Sequence, residues 1–294
     1  MLKETHTLPL PDGGIYAEVH GSGDAVPLLT LHGGPAAGSQ YLSSLARLTD
    51  GGRQVILYDQ LGCGRSDKPD DPSLWTAARY AAEVQQVRDA LGLERVHLLG
   101  QSWGGMLAIE YMLGRPSGVV SLVFADTTAS IPQATDGLLR LRSELPPEAR
   151  AALDEADRTG RRDDPAYQAA LITFYQRHVC RLPSWPQEMF QMAENMDGNP
   201  VYSHMWGPDE LSPSGSLATW DRRDRLAEIT VPALVLTGRY GELVPECSQS
   251  LDAGLLDSQL VLLPECSHLP HLEEPEQWFG AVATFLEEAE ARAS

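Results

Sequence analysis

The chain has 294 residues, 43% of them hydrophobic, with 22 Lys and Arg against 41 Asp and Glu for a formal net charge of −19. That length and apolar share exclude overall disorder and suit one large domain or two modest ones. The acidic excess, with no basic cluster or basic amphipathic stripe, excludes a nucleic-acid backbone or an anionic membrane as a partner.

The opening residues MLKETHTLPLPDGG are polar, without an apolar stretch of signal-peptide length, and no apolar run approaches the length that spans a bilayer. A cytoplasmic location is expected. Further along, short β-branched or Leu-rich runs alternate with longer helical patterns: LLTLH (28–32), QVILYD (54–59), VHLLG (96–100), VVSLVFAD (119–126), PALVLTG (232–238) and QLVLLP (259–264). Apolar within and polar at their ends, they predict strands buried on both faces of a parallel sheet. Between them, 76–93 has apolar positions at helical spacing with a Gly near its end, and 275–293 starts with Pro, so both predict crossover helices. The architecture is α/β. From about 131 to 215 the strand-like runs vanish and the text turns helical and polar, which predicts a helical cap over a body made of 1–130 and 216–294. Four scattered cysteines (Cys63, Cys180, Cys247, Cys266) without a CxxC pair suggest reduced, packed thiols rather than disulfides or a zinc site.

Chemistry concentrates at a few places. Gly100-Gln101-Ser102-Trp103-Gly104 follows a predicted buried strand and precedes a helix, the context a G-x-S-x-G nucleophile elbow requires. The small residues Gly100, Gly104 and Gly105 let the backbone turn sharply and leave Ser102 Oγ at the helix N-terminus. Upstream, His32-Gly33-Gly34-Pro35 ends a strand where the amide of Gly34, with that of Trp103, can form an oxyanion hole. A general base must follow the last strand, and ECSHLPHLEEPE offers His268 and His271. His268, directly after QLVLLP, is the assigned base, and His271 reads as a partly exposed loop histidine. A metal site from the two is disfavoured by Pro270 between them and by the want of a third ligand, so neither metal nor organic cofactor is expected.

The segments HGGP, YDQLGCGRSD (58–67), GQSWGG (100–105), GPDEL (207–211), PALVLTGRYGE and CSHL (266–269) resemble the proline iminopeptidase group of α/β-hydrolases. The resemblance covers nearly the whole chain and is thin across 131–200. It implies an α/β-hydrolase fold and a capped hydrolase that removes an N-terminal residue, commonly proline, from small peptides or arylamides through an acyl-enzyme. It also implies that Glu210 and Glu242 bind the substrate's free α-amino group, so the expected partner is a small molecule or short peptide with a free amine. Two carboxylates beside a serine would hold an ammonium and exclude blocked N-termini.

One position departs from the pattern. The place usually held by the catalytic aspartate is Gly241, which cannot orient an imidazole. Asp126 ends a strand that follows Ser102, and in some other α/β-hydrolases, haloalkane dehalogenases among them, the acid sits at the end of this strand. Three readings stay open: Asp126 as the acid, Glu242 recruited from the neighbouring position, or an enzyme without an acid. If Asp126 has no such role, it caps the turn at Thr127 and Thr128. The leading function is therefore a serine hydrolase with Ser102, His268 and Asp126. The alternatives are an esterase, lactonase or amidase for a specialised metabolite, and a non-catalytic ligand-binding homologue.

Overall fold

All six apolar runs are strands of one sheet in the computed structural model, which describes residues 3–293. In chain order the strands are β1 (Lys3–Leu10), β2 (Gly13–His20), β3 (Ala25–Leu31), β4 (Arg53–Tyr58), β5 (Val96–Gln101), β6 (Val119–Ala125), β7 (Ala233–Gly238) and β8 (Ser258–Leu263). They lie in the order β1-β2-β4-β3-β5-β6-β7-β8. From β4 to β8 all pairings are parallel, whereas β1 and β2 form an antiparallel hairpin added beside β4. Every residue of β5, β6 and β7 is buried, as continuous apolar strands covered on both faces require. Their C-terminal ends therefore share one edge of the sheet. Met1, Leu2 and Ser294 lie outside the described residues, so the polar opening stretch is seen only from Lys3 onward.

Between strands run α1 (Ala77–Ala90) and α2 (Trp103–Leu113), the first capped by Thr76 Oγ1, which accepts the Arg79 N–H at 3.2 Å. After β6 come α3 (Ile131–Ser143), α4 (Pro147–Thr159), α5 (Pro165–His178), α6 (Gln187–Met196) and α7 (Pro200–Met205), with no strand among them. Prolines and acceptor side chains start these helices: Ser130 accepts from Gln133 N–H, Asp164 from Ala166 N–H and Asn199 from Val201 N–H. The chain leaves and rejoins the sheet side by side. Ile131 N–H donates to Trp220 O at 2.9 Å, Arg222 N–H to Ala129 O at 2.8 Å, and Ser130 Oγ to Asp221 Oδ2 at 2.9 Å. The fold closes with α8 (Pro245–Gly254), α9 (Pro270–Glu273) and α10 (Pro275–Ala293). All four cysteines are buried as free thiols, and among the described residues no helix is long and apolar enough to cross a membrane.

Candidate active site

Ser102 stands between β5 and α2 with φ 55° and ψ −122°, a left-handed backbone that non-glycine residues rarely adopt. Close packing imposes it. A Cβ on Gly104 would lie 1.9 Å from Leu31 O and one on Gly100 would lie 2.3 Å from Gly104 O, so α2 can start against β3 only with glycines there. Ser102 N–H donates to Ala125 O at 3.0 Å and Thr127 Oγ1 donates to Ser102 O at 2.7 Å, fixing the turn to the end of β6.

Beside it, the loop after β3 is held by a network of neutral side chains. Gln60 N–H donates to His32 Nε2 at 3.0 Å, which leaves the proton on Nδ1 to be donated to Gly33 O at 2.9 Å. Gln60 Nε2 donates to His32 O at 3.0 Å, and its Oε1 accepts the Trp103 indole N–H at 2.8 Å, tying this loop to the start of α2. Burial pushes His32 below its ordinary range and keeps it neutral. Tyr41 OH accepts from Gly33 N–H at 2.8 Å and donates to Gln101 Oε1 at 2.5 Å. Gln101 Nε2 donates onward to His268 O at 3.1 Å. Tyr41, Gln60 and Gln101 are buried polar residues that no spacing rule singles out; YDQLG and GQSWG contain two of them without marking their role.

His268 follows β8 and is 5% exposed. Its Nε2 lies 3.2 Å from Glu242 Oε1, and its Nδ1 has no hydrogen-bond partner. Burial, reinforced by His271, pushes it down to about 3, so the ring is a neutral imidazole. Asp126 directly follows β6 with φ 46°, buried, with Oδ1 accepting the Gly238 N–H at 2.9 Å and Oδ2 unpartnered. Burial raises its carboxyl well above the ordinary range. Neither Asp126 nor Glu242 is bonded to His268 Nδ1. Asp126 also does not cap the following threonines. Its carboxyl reaches across to β7, while Thr127 bonds to Ser102 O and Thr128 to Ser130.

His271 departs from its reading as a partly exposed loop histidine. It lies in α9 and is 2% exposed, because its ring packs between Tyr41 and Trp278, and its Nε2–H donates to Tyr41 O at 3.2 Å. Its work is to hold α9 against Tyr41.

Glu210 and Glu242 meet in one cavity of about 690 Å³, which Gly34, Ser102 and His268 also line. Tyr202 OH donates to Glu210 Oε2 at 2.9 Å. Burial raises Glu210 to about 7 despite that bond, and burial together with Glu210 raises Glu242 well above its ordinary value. Two carboxyls enclosed in this way gain most from a cation placed between them. Trp185, Met189 and Phe190, from α6 and the segment before it, add apolar side chains to the lining of the same cavity.

A serine on a strained turn after a central parallel strand, sharing a cavity with a histidine after the last strand, defines an α/β-hydrolase. The family model for the alpha/beta hydrolase fold matches residues 26–275. Among similar proteins, the proline iminopeptidase of Lactobacillus delbrueckii subsp. lactis is 39% identical over 285 residues, 95% of this chain and 96% of that one. That of Heyndrickxia coagulans is 36% identical over 90% of this chain and 92% of its own. The crystal structure of the Mycobacterium smegmatis proline iminopeptidase superposes with a TM-score of 0.92 at 38% identity, covering 99% of this chain and all (100%) of that one. VinJ does so with a TM-score of 0.94 at 34% identity, over 97% and 99%. The chain belongs to the proline iminopeptidase family of α/β-hydrolases and is a hydrolase of that type.

Proposed function

We propose that the protein releases an N-terminal residue, proline or one of similar size, from a small peptide or amide, with Ser102 as nucleophile. The observation that carries this reading is one cavity holding Ser102, His268 and the acid pair Glu210 and Glu242. His268 takes the Ser102 Oγ proton as the oxygen attacks the carbonyl carbon. The N–H groups of Gly34 and Trp103 stabilise the resulting oxyanion. The protonated imidazole then gives its proton to the departing amine, and the C–N bond breaks to leave an acyl-serine. Water, deprotonated by the same histidine, releases the acid and restores Ser102. Glu210 and Glu242 hold the substrate's ammonium group, and the helical segment 131–215 acts as the cap that brings Glu210 over the serine. Asp126 is proposed as the carboxyl group that supports His268, since its Oδ2 and His268 Nδ1 both lack partners. The partner is thus a small molecule or short peptide with a free amine, and this chemistry calls for no cofactor.

The test compares a prolyl arylamide with its N-acetyl counterpart. Acetylation removes the charge that the carboxylates pair with, so kcat/KM is expected to fall by about a hundredfold, the scale of a lost charge-assisted bond of roughly 3 kcal/mol. Glu210→Gln is expected to reduce that preference. Equal rates on the free and blocked substrates would remove the amine-reading role and favour an esterase, lactonase or amidase.

A further inference from the structure

The backbone that carries His268 is held on both sides of the ring. Its own carbonyl accepts from Gln101 Nε2 at 3.1 Å, and the residue before it is gripped from α9. Glu273, the last residue of α9, accepts Ser267 N–H on Oε2 at 2.6 Å and Ser267 Oγ–H on Oε1 at 2.7 Å. Its Oε1 also accepts the backbone N–H of Arg181 at 2.6 Å, so one half-buried carboxylate receives three donors. Arg181 lies just beyond the C-terminal end of α5, in the helical segment inserted after β6. That same end of α5 holds the turn after β7. His178 O accepts Glu242 N–H at 3.0 Å, His178 Nδ1–H donates to Tyr240 O at 2.9 Å, and the Arg181 guanidinium lies 4.0 Å over the Tyr240 ring. Tyr240 N–H donates in turn to Cys266 O at 2.9 Å. Segments 178–181, 240–242 and 266–268 thus meet at one junction, and Glu273 is the side chain that ties the first to the third.

We propose that Glu273 is a positioning residue for His268: its carboxylate locks Ser267 to the end of α5 and so couples the seating of the cap to the aim of the base. A carboxylate suits this place because each of its oxygens accepts more than one hydrogen bond, and bonds to an ionised acceptor are roughly twice as strong as neutral ones. Glutamine has the same shape but a single acceptor oxygen, and its NH2 group would face one of the donors and leave it unpaired. The consequence for the reaction is geometric, since a misplacement of about 1 Å between reacting groups can cost about a hundredfold in rate. Glu273 acts on the backbone that carries the imidazole and does not touch the reacting atoms. Its role is therefore separate from that of Asp126, which concerns the ring. The inference rests on Ser102 and His268 being nucleophile and base, and it adds the device that keeps the second of them in place.

The experiment compares the wild-type chain with Glu273→Gln and Ser267→Ala, well below their melting temperatures, by turnover of a prolyl arylamide and by the rate at which a fluorophosphonate labels Ser102. Glu273→Gln is expected to lower kcat and the labelling rate by a common factor of about ten to a hundred. KM should stay within about twofold, because the bonds of His178 to the turn that carries Glu242 remain. Ser267→Ala removes the Oγ bond and keeps the N–H bond, so both rates should fall by about three- to tenfold, and this variant decides the matter if Glu273→Gln does not fold. Glu274→Gln removes the neighbouring carboxylate, which takes part in none of these bonds, and should leave both rates unchanged. A folded Glu273→Gln with wild-type kcat and labelling rate would overturn the positioning role. So would a loss carried by KM alone, which marks a seat for the cap, or an equal loss in Glu274→Gln, which marks a general effect of charge. Failure of the wild-type protein to be labelled at Ser102 would instead remove the serine mechanism, and this inference with it.

Discussion

At Ser102 the backbone itself is specialised, since its left-handed φ persists only because β3, β5 and α2 converge on it. Ser102→Ala keeps that backbone and removes only Oγ, so turnover is expected to fall by about 10⁴-fold or more while the melting temperature changes little. His268→Ala should match that loss. His271→Ala should act differently, lowering stability by about 2 kcal/mol or more through the lost packing against Tyr41 and Trp278 while retaining part of the activity. Kinetics and urea denaturation of the three variants decide the matter. A His271 variant as inactive as Ser102→Ala, with stability unchanged, would reverse the choice of base.

Among elements, the loop after β3 and the start of α2 act as one unit because Gln60 spans them, bonding to His32 O, His32 Nε2 and the Trp103 indole. Gln60→Ala removes the two side-chain bonds and keeps the backbone one, with an expected cost of about 1–3 kcal/mol in stability. Turnover should fall more than stability does, because the Gly34 amide loses its fixed aim; unchanged kcat in a destabilised variant would show that the loop needs no such tie. The sequence announces the strands that this unit joins, because LLTLH, VHLLG and VVSLVFAD are apolar on both faces. It does not announce the hairpin of β1 and β2. The first of these is mostly exposed, polar and contains Pro9, so burial imposes little pattern on it. At the site, motif spacing exposes Ser102, Gly34 and His268, whereas Tyr41, Gln60 and Gln101 act through buried hydrogen bonds that have no characteristic spacing. Gly241 stands out only against the family pattern, and the division of the two His268 nitrogens is visible only in three dimensions.

For the whole molecule, buried titratable groups of opposite kinds set the response to acid. Burial holds His268 down to about 3 and both His271 and His97 to about 4, against an ordinary 6.5, and lowers His32 and His178 in the same sense. The unfolded chain therefore takes up these protons first, and their contribution, present above pH 6.5, is lost as pH falls toward 3–4. Burial raises Glu83 and Glu210 to about 7 from an ordinary 4.5, and raises Glu242 and Asp126 as well. There the folded chain binds protons first, so stability is gained as pH falls from about 7 to 4.5. Between 6.5 and 4.5 the two sets oppose each other. Below 4.5 the carboxyl gain is complete while the histidine loss continues. Two further losses then begin: Glu18, despite its burial, is held down to about 2 by hydrogen bonds with Lys3, Tyr16, His20 and Arg65, and Asp221 is held to about 2 chiefly by Arg223. Calorimetric melting temperatures across this range are expected to change little from pH 6.5 to 4.5 and to drop steeply below. A steep fall beginning at pH 6.5 would mean that the histidines outweigh the buried carboxyls. In that case His271→Phe, which keeps the ring packing and removes one titrating group, should recover part of the loss at pH 5.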